Sequence, residues 1–202
     1  MVMDTATYAN ILNDVINEQI YSAGAKAVAK ELNGRIYLPI KGHVMERVVE
    51  IASNYRLEAV DQVGYDHIDK KRGFKVEFKF ASYSMISERG NPVKTTRIRI
   101  KNSRGSNKGV NIENPADFYL IGQEDAMAII SWEDLKPCLE AAGDGIDAII
   151  PHAKLIFIFK NVDTVNVQMS SLADAIKNAI ENWLVDLGTK VEEKQEILDG
   201  AE

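Results

Sequence analysis

Between Tyr65 and Lys79 the chain reads Tyr-Asp-His-Ile-Asp-Lys-Lys-Arg-Gly-Phe-Lys-Val-Glu-Phe-Lys, two short strand-like runs joined by a charged turn. No other stretch constrains the fold as strongly. In its second half Phe74, Val76, Phe78 and Phe80 alternate with Lys75, Glu77 and Lys79. Successive side chains on a strand point to opposite faces, so such a run buries its aromatics and presents Glu77 and Lys79 together. Gly73 supplies the positive φ that hairpin loops often need, and Lys70-Lys71-Arg72-Gly73 then folds the Asp66 run back against the Glu77 run. A carboxylate from one strand meets a carboxylate from the next.

Two carboxylates so placed suit Mg²⁺, a hard cation that keeps several waters and is held by one or two carboxylates plus substrate phosphate oxygens. Lys79 falls on the same strand face, where an ammonium can orient a water or offset charge in a phosphoryl transition state. Set against this, alternating Glu and Lys on a strand is commonly only the solvated face of a sheet.

Gly64-Tyr65-Asp66 followed by Glu77-Phe78-Lys79 resembles the signature of the PD-(D/E)XK, or restriction-endonuclease-like, nucleases, with Tyr65 standing where that family has Pro. The resemblance implies an α/β fold with a mixed central sheet flanked by helices. It also implies an endodeoxyribonuclease, of type II restriction-like or phage type, that depends on Mg²⁺ with Mn²⁺ as a substitute. Asp66 and Glu77 would hold the metal, Lys79 would position or activate water, and Glu46, on the helix preceding the hairpin, would assist. Asp61 and Asp69 compete with Asp66 for the metal, and Asp66 is preferred because Gly-Tyr-Asp matches the family pattern best.

The formal net charge of −6 argues against a nucleic-acid partner, but its distribution argues for one. From Arg89 to Ile112 there is no acidic residue, and the window carries +7, leaving −13 on the rest of the chain. Within it Thr95 to Lys101 alternates cleanly, with Arg97, Arg99 and Lys101 on one face. Lys94, Arg97, Arg99, Lys101, Arg104 and Lys108 are the expected contacts to DNA, with RNA left open. Edge strands also carry Lys and Arg to resist unwanted pairing, which is the plainer reading of the same residues.

The 202 residues, 46% of them hydrophobic, are ordinary for one domain with a sizeable core. No apolar run approaches the roughly 20 residues that span a bilayer, and Met1 to Glu18 lacks the layout of a signal peptide, so a cytoplasmic protein is expected. Lone Cys138 reads as a small apolar filler.

Along the chain the pattern predicts a helical segment over 1–34, as two helices or one bent near Ser22-Gly24, and a nuclease-like core over 40–160. A helix from Ser171 to Gly188, with Trp183 inside, and a fraying acidic tail over 190–202 complete it. Within the core a helix from about His43 to Tyr55 buries Val44, Val48, Ile51 and Tyr55, leaving His43, Glu46, Arg47 and Glu50 on the surface. Leu57 to Val63 is a strand, Phe80 to Pro92 a Ser- and Gly-rich connection, and Ala116 to Gly122 and Ala126 to Ser131 a hairpin. Ser131 then caps a helix holding Leu135 and Leu139, and Lys154 to Lys160 is a further strand.

The alternative function is a catalytically inactive nucleic-acid-binding or regulatory protein on the same fold. A homodimer is expected if both strands of a duplex are cut, since that calls for two active sites.

Overall fold

The computed structural model describes residues 3–32, 38–62, 64–80, 84–88, 91–99, 110, 112–142, 147–163, 172–174, 177–178 and 181. Two N-terminal helices come first, α1 (Thr5–Asn13) and α2 (Glu18–Leu32). Asp4 caps α1 by accepting the Thr7 N–H at 2.9 Å, and the Asn17 side chain accepts from Ile20 at 3.1 Å at the start of α2. The break therefore falls at 14–17 rather than near Ser22-Gly24. Gly24 serves close packing instead, because a Cβ there would stand 2.6 Å from Cγ1 of Val48 on the next helix.

That helix, α3, spans Leu38–Ala52 and starts five residues before the predicted His43. Pro39 lies in its first turn, where the missing N–H has no helical acceptor in any case. Asn54 and Tyr55 follow at φ 50° and 59°, and this left-handed exit leaves Tyr55 54% exposed rather than in the buried stripe. Glu50 departs from expectation in the opposite direction. It is 8% exposed, pairs with Arg47 and accepts the Ala59 N–H at 3.0 Å, tying α3 to the strand that follows.

Strands β1 (Leu57–Gln62), β2 (Tyr65–Asp69) and β3 (Lys75–Phe80) form an antiparallel meander. After β4 (Ser84–Glu88) and β5 (Asn91–Arg99), the chain returns as β6 (Phe118–Gly122) alongside β3, in parallel. A hairpin leads to β7 (Ala126–Ser131), then come α4 (Trp132–Ala142), β8 (Asp147–Pro151) and β9 (Ile156–Lys160). The result is an α/β architecture with a mixed, open six-stranded sheet in the order β1-β2-β3-β6-β7-β9, and a smaller sheet β4-β5-β8 beside it.

Strand β6 is buried along its whole length, which is why its sequence reads as an unbroken apolar run. Phe118 and Leu120 pack into one core with Tyr8, Leu12, Tyr21, Val48 and Phe78. Tyr119 and Ile121 pack into the other with Leu135 and Leu139 of α4. The sheet thus carries helices α1 to α3 on one face and α4 on the other. Ser131 caps α4 as predicted, accepting the Asp134 N–H at 3.3 Å.

The small sheet corrects the predicted connection from Phe80 to Pro92, most of which is strand, and β8 has no counterpart in the sequence reading. Residues 172–174, 177–178 and 181 are helical, whereas Trp183, Gly188 and the acidic tail lie outside the described residues. Among the described residues no helix is long and apolar enough to cross a membrane.

Candidate active site

The β2–β3 turn is closed by the Gly73 N–H donating to the Asp69 carbonyl at 2.7 Å and the Asp69 N–H to the Phe74 carbonyl at 2.9 Å. Gly73 sits at φ +70°, a conformation that side chains other than glycine's resist. The turn sets a register in which His67 faces Val76 and Ile68 faces Lys75. Alternation from that register puts Asp66 and Glu77 on the same face of the two strands. The Asp66 carboxylate accepts the Phe78 N–H at 2.8 Å, so it is anchored on β3 next to Glu77.

On the other side of β3, Glu77 lies beside Tyr119 and Lys79 beside Ile121. Both neighbours belong to the α4 core, which places Glu77 and Lys79 on that face of the sheet. The Lys79 ammonium touches the Glu77 carboxylate directly. Glu77 is 6% exposed, so the pair is held in a setting where an unbalanced charge is costly.

Electrostatics reflect this crowding. Burial, then the Glu77 and Glu46 carboxylates, push the Asp66 carboxyl up to about 8, against the pull of Lys79 and the Phe78 N–H. Partial burial works against the Lys79 charge, but Glu77, Asp66 and Glu46 outweigh it and hold its pKa above the usual lysine range. Glu46 is therefore near enough to act on both groups. Its own carboxylate stands 3.3 Å from His43 Nδ1, and its backbone carbonyl is 2.9 Å from His67 Nε2.

Asp69 is removed from the competition for a metal by its partners. It is fully buried on the opposite face of β2, gripped by Arg56 Nε and Nη2 at 3.1 Å each, by the Tyr8 hydroxyl at 3.0 Å and by the Lys71 N–H at 2.9 Å. Asp61 lies in β1, and its side chain is outside the described structure. His67 points away from Asp66 as alternation requires, yet it is fully buried against α3 rather than on a second surface. A histidine on the apolar parity of a strand was the available signal.

The basic residues divide. Lys94, Arg97 and Arg99 lie in β5, the central strand of the small sheet rather than an edge. The β5 register sets Arg97 across from Ile149 and Arg99 across from Asp147. On β8, Ile149 is 42% exposed while Ala148 and Ile150 are buried. Asp147 brings an acid to a strand pair whose basic member has none between 91 and 99. Lys101, Arg104 and Lys108 lie outside the described residues.

Among the described residues no cluster of three or more His, Cys, Asp or Glu forms a ready-made metal cage. The donor set that is present, two neighbouring carboxylates, fits a Mg²⁺ that draws its remaining ligands from water and substrate. A cavity of about 530 Å³ lies elsewhere, between the starts of α1 and α4, lined by Phe74, Phe118 and Trp132 and by none of Glu46, Asp66, Glu77 and Lys79. Compared with protein-family models, with curated proteins and with solved structures, the chain matched none.

Proposed function

We propose that the protein is a Mg²⁺-dependent endodeoxyribonuclease of the PD-(D/E)XK kind, hydrolysing phosphodiester bonds in DNA. One observation carries the reading: Asp66 is anchored to the backbone of β3 between Glu77 and Lys79, so two acids and an amine converge from adjacent strands. The electrostatics support it. Burial first, and then the neighbouring Glu77 and Glu46 carboxylates, raise the Asp66 carboxyl, and a divalent cation would offset the crowded negative charge.

Asp66 and Glu77 would hold the ion, which when bound supplies Lewis acidity toward the phosphate and acidifies water. Asp66 must give up its proton to serve. Lys79, released from Glu77, would turn its ammonium toward the attacking water or the developing negative charge on the phosphate. Glu46 would add a further acceptor for water.

Incubation with supercoiled plasmid and Mg²⁺ or Mn²⁺ tests this: nicked circles are expected, and intact plasmid in the presence of bound metal overturns the reading. A second reading, nucleic-acid binding without cleavage, draws on the direct Lys79–Glu77 contact, which already neutralises both groups. It predicts a salt-sensitive gel shift that persists without metal.

A further inference from the structure

We propose that His67 is a positioning residue, whose Nε2–H bond to the Glu46 carbonyl fixes the Glu46-bearing turn of α3 against the strand that carries Asp66. This rests on the nuclease reading and adds to it the means by which a helix residue is held in register with the strand residues.

His67 is 0% exposed and adjacent in sequence to Asp66. The Glu46 carbonyl can only accept, so at 2.9 Å the nitrogen facing it, Nε2, carries the proton. The other nitrogen, Nδ1, then bears a lone pair, and it is buried without a hydrogen-bond partner. A buried orphan acceptor is a standing cost, and an apolar residue at this position would avoid it. The helix itself does not need the bond, because a carbonyl within a helix is already served by the N–H four residues on.

What the bond does supply is location. It fixes the Glu46 main chain to β2 on one side, while His43 Nδ1, 3.3 Å from Glu46 Oε2, restrains the carboxylate on the other. Glu46 acts electrostatically on both Asp66 and Lys79, so a shift of its helix turn is felt by both.

The test compares His67→Gln, whose amide N–H reaches the place of Nε2, with His67→Asn, which is one methylene too short, and with His67→Leu. Each is made in the parent and in Glu46→Gln. Plasmid cleavage rate, Mn²⁺ affinity and melting temperature are measured. In the parent, His67→Asn and His67→Leu should each reduce cleavage roughly tenfold or more, the scale of losing a partner that orients a site residue, while His67→Gln stays within about threefold. In Glu46→Gln the His67 changes should have no further effect on cleavage, whatever they do to the melting temperature.

A merely structural histidine gives equal losses in both backgrounds, and that result overturns the proposal. So does a folded His67→Asn protein that cuts at the parent rate. If His67→Leu does not fold, the Gln and Asn pair still decides. A parent protein that binds no metal and cuts nothing removes the nuclease reading and this inference together, whereas a parent that cuts with additive His67 losses removes the inference alone.

Discussion

Asp66 and Asp69 share one short strand, and the face each occupies decides its chemistry. Burial raises the Asp69 carboxyl, but the Arg56 fork, the Lys71 N–H and the Tyr8 hydroxyl outweigh it and hold the pKa below the usual range. A depressed carboxylate contributes stability that is present above its unfolded value of about 3.9 and is lost as pH falls through the folded value. Asp69→Asn should therefore destabilise the protein at pH 7 by about 3 kcal/mol, the scale of leaving a buried charge unpaired, and the gap from the parent should close in acid. Thermal melts from pH 7 down to well below the unfolded value of about 3.9 check both parts. On the other face, Glu77→Ala should lose metal affinity and cleavage together. Lys79→Ala should keep the fold and most metal binding while slowing cleavage about a hundredfold, as for a charge that acts mainly in the transition state. Were the pair only structural, the changes would cost stability, Lys79→Ala by taking the ammonium from the buried Glu77 carboxylate, and would leave any activity intact.

Elements with strong local signals were legible in the sequence, and those defined by distant partners were not. The β2–β3 hairpin announced itself through period-two alternation around Gly73, and α4 through Ser131 and the Leu135–Leu139 spacing. Strand β8 has only Ala148 and Ile150 on its buried face, and it exists because β5 pairs with it from some fifty positions away in the chain. Strand β4 hid in a Ser-rich stretch for the same reason, its pairing with β5 overriding weak propensity. Helix α3 shows the limit of reading one stripe: Met45, Val49 and Glu50 are buried as well as Val44 and Val48, because β-strands and α2 cover it from two sides. At this scale the prediction concerns β5. If Arg97 and Arg99 meet the sugar-phosphate backbone, Arg97→Ala with Arg99→Ala should weaken DNA binding to a similar degree for all sequences. The salt dependence should flatten by about one unit per lost phosphate contact. An unchanged slope in gel shifts across a salt series removes the small sheet from the interface.

In the whole molecule the hairpin's two faces differ in chemistry: one carries a packed, ion-paired lock around Asp69 and the other gathers Asp66, Glu77 and Lys79. The fold was legible as an α/β sheet with covering helices, since β6, β7 and β9 are apolar enough to require burial on both sides. The candidate site was legible through the spacing of Glu77 and Lys79, but the place of Glu46 depends on a helix–strand contact that no local pattern encodes. The central claim is that Asp66 and Glu77 share a divalent cation. A crystal structure of the protein soaked in Mn²⁺, read from the anomalous signal of the metal, measures it most directly. The account predicts one ion bound by an oxygen of each carboxylate at about 2.1 Å, with Lys79 turned away from Glu77. An ion bound elsewhere, or a Glu77–Lys79 pair unbroken at saturating Mn²⁺ in protein that still nicks plasmid, would contradict it.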